Sequence, residues 1–74
     1  MQDASQQMLT FGRSLARLRV SSGMTQERLA EVAAIHPRYL QKLEAGTTSP
    51  TLLVLWRLKK ALGVDWDVLL ARLR

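Results

Sequence analysis

Arg38, Gln41 and Lys42 are the residues of this 74-residue chain best placed to do chemistry. On a helix advancing about 100° per residue they share an arc of about 140° with Pro37 and Ala45. Arginine can donate two hydrogen bonds to a guanine edge, and glutamine can pair in the same way with adenine. Lysine can meet a base or hold a phosphate. This arc therefore predicts contact with base edges, although alone it is also the pattern of a solvated helix face. His36, directly before it, can touch a phosphate or a base, or stand simply exposed. Thr47, Thr48 and Ser49, just after it, can donate to phosphate, a contact that positions without reading sequence. Tyr39 lies at the edge of the apolar arc, so its ring can pack while its hydroxyl reaches a phosphate. Catalysis is not expected. No nucleophile, base and orienting group stand together, and one His with no Cys offers little chemistry, so no enzyme, cofactor or metal site is expected.

Residues 25–46 must position these groups, and they read as two short helices joined by a tight turn. Thr25 is a good N-cap for the first, Gln26–Ala33. Leu29, Ala30 and Ala33 share its apolar arc, with Gln26 at the edge. The free N–H groups and dipole at that end form a ready phosphate site beside Gln26. Pro37 suits the first position of the second helix, Pro37–Ala45. It also biases His36 out of the α region, so the first helix must stop before it. Leu40 and Leu43 face inward, and Gly46 ends the helix as a left-handed cap.

The flanking chain supplies packing. Residues 1–7 are polar and expected to be a mobile tail, leaving 8–74 as a single domain. A first helix over residues 8–21 places Met8, Phe11, Gly12, Leu15 and Leu18 on one arc. Arg19 falls on the same arc, where a buried charge needs a partner. Glu44 lies beside Leu40 on the core-facing edge, so the two are expected to pair and lock the helices together. The alternative is that Arg19 only snorkels to water. Arg13 and Arg17 lie off the arc, solvated, though either could touch phosphate. Gly23 is a natural C-cap and Met24 a core residue. A fourth helix, Leu52–Leu62, is capped by Thr51 and carries Leu52, Leu55, Trp56, Leu58 and Leu62 on a wide arc. Lys59 falls inside that arc and must snorkel or find Asp65 or Asp67. Leu53 and Val54 fall outside it. A fifth helix over residues 66–73, capped by Asp65, turns Trp66, Leu69, Leu70 and Leu73 inward and leaves Val68 out.

Length and composition bound the rest. A chain of this size is one small domain whose core supplies modest stability. The net charge of +5 suits a polyanion partner. No apolar run approaches the ~20 residues that span a bilayer. The basic residues do not form one face of a long amphipathic helix, so no membrane partner is expected. The polar N-terminus is unlike a signal peptide. The absence of Cys fits a reducing cytosol, so a cytoplasmic location is expected.

Certain residues carry a family resemblance. They are Gly23-Met24-Thr25-Gln26, Leu29-Ala30, Ile35, Tyr39-Leu40, Leu43-Glu44 and Gly46, then Pro50-Thr51-Leu52, Leu55, Leu58 and Ala61-Leu62-Gly63-Val64. Together they resemble the Cro/cI-like (XRE) helix-turn-helix family over most of the chain. That resemblance implies an all-α, compact five-helix lambda-repressor-like domain whose second and third helices form the helix-turn-helix. It implies a sequence-specific regulator of transcription that binds double-stranded DNA as a homodimer on a palindromic operator. Helix Pro37–Ala45 would enter the major groove, with Pro37, Arg38, Gln41 and Lys42 reading bases. Gln26, His36, Tyr39, Thr47 and Thr48 would meet phosphates, Gln26 also supporting the recognition helix. Members of the family have a pair like Arg19–Glu44. They often dimerise through the C-terminal region, where Leu53, Val54, Trp66, Val68 and Leu70 are candidates for the contact, Trp66 and Leu70 being the two that can instead belong to the monomer core. No small-molecule ligand is implied. The chain departs from the family pattern at Ala34, where Gly is usual, at His36, where Ser often caps, and at Thr47-Thr48, often a basic pair. A left-handed alanine costs on the order of 1 kcal/mol. The competing expectation is a protein-interaction module, antitoxin-like or accessory, that binds DNA only weakly.

Overall fold

Side chains at the start of three helices satisfy backbone N–H groups that the first turn leaves free. The Oγ1 of Thr25 accepts from the Arg28 N–H at 3.0 Å, that of Thr51 from Val54 at 3.1 Å, and the Nδ1 of His36 from Arg38 at 3.0 Å. The computed structural model describes residues 4–73 and contains α1 (Ser5–Ser21), α2 (Gln26–Ala33), α3 (Pro37–Ala45), α4 (Leu52–Leu62) and α5 (Trp66–Leu69). Among the described residues there is no strand, and the fold is all-α.

Three elements differ from what the apolar pattern predicts. Helix α1 begins at Ser5, and the Met8 N–H donates to the Ala4 carbonyl at 3.0 Å. The extra turn, Ser5-Gln6-Gln7, carries no apolar residue to announce it. Residues 5–7 are thus part of a helix rather than a tail, while positions 1–3 of the expected tail lie outside the described residues. Helix α5 ends after one turn instead of running to residue 73, and Asp65 makes no side-chain capping bond. Beyond it the Leu73 N–H closes a tighter turn onto the Leu70 carbonyl at 3.0 Å, and both leucines pack on the core.

The third difference is the rotation of α4. Leu58 is fully buried, with Val54, Leu55, Ala61 and Leu62 around it facing the core. Leu52 is 78% exposed and Trp56 46% exposed, although both belong to the wide arc drawn from sequence. Relative to Leu58 they stand about 120° and 160° round the helix, against about 40° for Val54. So many residues of α4 are apolar that the pattern does not single out one face.

The core joins every helix through Phe11, Leu15, Leu29, Ala30, Leu40, Leu43, Leu58 and Leu69. Helix α1 lies on α3, and α2 is wedged between α3 and α4. Gly12 makes the first contact possible: a Cβ there would stand 2.5 Å from the Leu43 carbonyl oxygen and 2.6 Å from that of Glu44. Among the described residues no helix is long and apolar enough to cross a membrane.

Candidate nucleic-acid interface

The helix that carries Arg38, Gln41 and Lys42 is fixed from behind. Leu40 and Leu43 are fully buried, while Pro37, Arg38, Gln41, Lys42 and Ala45 are all exposed along the opposite side. Among the described residues no hydrogen bond or ion pair engages the side chains of Arg38, Gln41 or Lys42. Three donor-bearing side chains, two of them cationic, therefore project together from a rigid element. No cluster of three His, Cys, Asp or Glu side chains able to hold a metal occurs among the described residues.

The anchor is a network at the far end of α3. Arg19 Nε donates to Glu44 Oε2 at 2.7 Å and Nη2 to Oε1 at 3.1 Å, a two-pronged contact between α1 and α3. Arg19 Nη1 also donates to the Met24 carbonyl at 2.8 Å, which fixes the link into α2. Gln26 Nε2 donates to the same Glu44 carboxylate at 2.9 Å. One carboxylate thus holds three elements: α1, the first residue of α2 and the last turn of α3. The hydrogen bonds to Glu44 push the Arg19 guanidinium above its ordinary pKa, opposed by desolvation and helped by the charge of Glu44. The side chains are 16% and 6% exposed, so water screens the pair little.

The turn between α2 and α3 carries strain. Ala34 has φ 58° and ψ 45°, the only non-glycine positive φ among the described residues. Its carbonyl accepts from Arg57 Nη1 at 3.3 Å, a contact from α4 that ties the turn down. Sequence gave no sign of that contact, because the partners are 23 residues apart and Arg57 belongs to no pattern.

The residues expected at phosphates are placed variously. Gln26 is half-buried at the N-terminus of α2, with one amide N–H committed to Glu44 and the other free to donate. His36 is exposed and uses Nδ1 as the cap of α3. A neutral ring accepting there carries its proton on Nε2, which points the remaining donor outward. Tyr39 packs its ring on the core and donates a long hydroxyl contact of 3.5 Å to the Ser49 carbonyl. Thr47 donates both its N–H, at 3.0 Å, and its hydroxyl, at 3.2 Å, to the Lys42 carbonyl. In this arrangement its hydroxyl closes the end of α3 and offers phosphate no proton. Thr48 is half-buried.

On α4 and α5 the exposed apolar residues are Leu52, Leu53, Trp56, Trp66 and Val68. Val54, expected to be left over from the core, instead packs against it, and so does Leu70, the candidate that the fifth helix's apolar arc also turned inward. The reason is the rotation of α4 and the turn that follows α5. Trp66, placed on the same inward arc as Leu70, is exposed. Lys60 Nζ stands 4.3 Å from the centre of the Trp56 ring, and Lys59 Nζ 5.7 Å from that of Trp66. Lys59 thus runs over an aromatic face rather than to Asp65 or Asp67.

The helix-turn-helix family profile matches residues 15–69. The uncharacterized HTH-type transcriptional regulator y4dJ of Sinorhizobium fredii is 42% identical over 54 residues, which is 73% of this chain and 70% of that protein. Control protein C.BamHI of Bacillus amyloliquefaciens is 39% identical over 58 residues, 77% of this chain and 72% of its own. The crystal structure of the restriction-modification controller protein C.AhdI from Aeromonas hydrophila superposes with a TM-score of 0.88 at 28% identity, covering 92% of this chain and 99% of that one.

Proposed function

The chain belongs to the helix-turn-helix family and is a DNA-binding regulator of transcription, and from that premise we propose how it reads its site. Helix α3 enters the major groove. Arg38 meets a guanine edge, Gln41 an adenine, and Lys42 a neighbouring base or phosphate, with Pro37 at the leading end against the bases. The observation that carries this reading is the unengaged Arg38–Gln41–Lys42 face on a helix anchored by Leu40, Leu43 and Glu44. Side chains that must match base edges gain from such an anchor, because a helix free to rock would blur their register. Gln26 and His36 Nε2 donate to backbone phosphates at the two helix N-termini, and Tyr39 and Thr48 line the same approach.

The chain acts as a homodimer. Leu52, Leu53, Trp56, Trp66 and Val68 are exposed on α4 and α5, away from α3, and burying them against a second copy supports both stability and symmetry. Two recognition helices then face half-sites about 34 Å apart.

Selection against random duplex DNA at physiological salt tests the whole reading. The expected product is an inverted repeat with half-sites about one turn apart. Gln41→Ala should relax one position of each half-site, at a cost of about 1–3 kcal/mol against the preferred base. General, salt-sensitive binding without enrichment overturns it and favours a protein partner instead.

A further inference from the structure

On the flank of α1 away from α3 lies a cavity of about 190 Å³ lined by Thr10, Arg13, Ser14, Arg17 and Arg72. These α1 residues stand about 100° (Arg13) to about 160° (Thr10 and Ser14) round the helix from Gly12, which touches α3. The cavity is therefore separate from the base-reading face. Arg72, from the turns after α5, adds to its lining.

Three arginines line this cavity, and among the described residues none of them has a counter-charge. Among the described residues the ion pairs join Arg19 to Glu44 and Arg28 to Glu31, and no carboxylate lines the cavity. Like charges gathered round one space repel unless an anion joins them. The Ser14 hydroxyl, on the same wall, is buried with no hydrogen-bond partner among the described groups, a rare condition for a polar atom. An anion that brought oxygen acceptors into the space would answer both features. Guanidinium forks match the paired oxygens of a phosphate, and a serine hydroxyl adds a further donor.

We infer that this cavity binds a phosphate group through Arg13, Arg17 and Arg72, with Ser14 as a supporting donor. The group can belong to a free phosphate compound or to the DNA backbone beside the recognised site. The chemistry of recognition is the same for both.

Titration with inorganic phosphate, at an ionic strength held constant with chloride, tests the inference by NMR of the arginine Nε–H signals and the Ser14 amide. Saturable shifts are expected at Arg13, Arg17, Arg72 and Ser14. Arg17→Gln should weaken the affinity roughly tenfold, the loss of one charge-assisted contact. Arg38→Gln, which lies outside the cavity lining, should leave it unchanged. Ser14→Ala should raise thermal stability in phosphate-free buffer, since it removes an orphaned donor, yet weaken phosphate binding. Arg13→Gln repeats the test should Arg17→Gln disturb the fold. Shifts no larger than those in chloride, or equal in wild type and Arg17→Gln, overturn the inference. The source is told by DNA binding at graded salt. A slope smaller by about one in Arg17→Gln identifies a backbone phosphate, whereas an unchanged slope in a variant whose affinity for inorganic phosphate has fallen identifies a free phosphate compound.

Discussion

At the scale of single residues, Ala34 and Glu44 carry opposite signs of energy. Ala34 sits where a Cβ crowds the following carbonyl, at a cost of about 1–2 kcal/mol, and glycine would relieve it. Glycine also gives the unfolded chain more freedom, which returns about 0.4–1 kcal/mol. Ala34→Gly is therefore expected to stabilise by about 0.5–1 kcal/mol, raising the thermal midpoint by a few degrees in calorimetry. An unchanged or lowered midpoint would mean that the Arg57 contact already compensates the strain. Glu44 holds three elements with one carboxylate, and Glu44→Gln leaves the Arg19 guanidinium in a shielded place without its countercharge. The expected loss is about 2 kcal/mol, the scale of a hydrogen-bonded charge, seen as a lower denaturation midpoint at unchanged slope. Ala34 was legible from sequence because it stands where the resembled family usually has glycine, the residue that a left-handed turn position favours. The Arg19–Glu44 contact was legible because a charge on an apolar arc demands a partner. The Arg57 contact and the orphaned Ser14 hydroxyl were not, because both arise only when distant segments meet.

At the scale of elements, the strength of each helix's amphipathic contrast decides how well it reads. Helices α2 and α3 set small apolar arcs against charged faces, between a threonine or proline start and a left-handed end, and their bounds follow from sequence. The start of α1 is polar on every side, so periodicity has nothing to register. In α4 the difficulty is reversed: apolar residues surround the helix, and only packing against α2 selects the Leu58 side. The contact between α1 and α3 depends on Gly12, where even a methyl group would meet backbone carbonyls rather than a side chain able to move. Gly12→Ala removes a helix-weakening glycine, which alone would favour the helix by about 1 kcal/mol. The clash should outweigh that gain, since overpacking costs about 1–3 kcal/mol and here the neighbour is rigid. Net destabilisation in urea is expected, with the Arg19–Glu44 distance disturbed as α1 lifts from α3. A stabilised Gly12→Ala protein would show that α1 can shift without loss.

At the scale of the whole molecule, the question is what the exposed side of α4 and α5 does for a domain of this size. A core drawn from so short a chain leaves a thin margin of stability, and a second copy is a common supplement. Leu52 and Leu53 lie on the side of α4 that Trp56 and Lys60 share, and Trp66 and Val68 extend the surface onto α5. A charge placed in the middle of this surface should separate the copies while leaving the monomer core untouched, because Trp56 makes no part of that core. For Trp56→Glu, sedimentation should therefore give a monomer at concentrations where the wild type is a dimer. The wild-type thermal midpoint should rise with protein concentration, as mass action requires, and that of Trp56→Glu should not. DNA binding adds a third reading of the same variant. A dimer gains from joining two half-sites on one duplex, because the second contact is made at high effective concentration. Trp56→Glu should bind the full inverted repeat scarcely more tightly than a single half-site, while keeping the base preferences of Arg38 and Gln41. A Trp56→Glu protein that remains dimeric would move the interface off α4, whereas a wild type that is monomeric at high micromolar concentration would remove the dimer altogether.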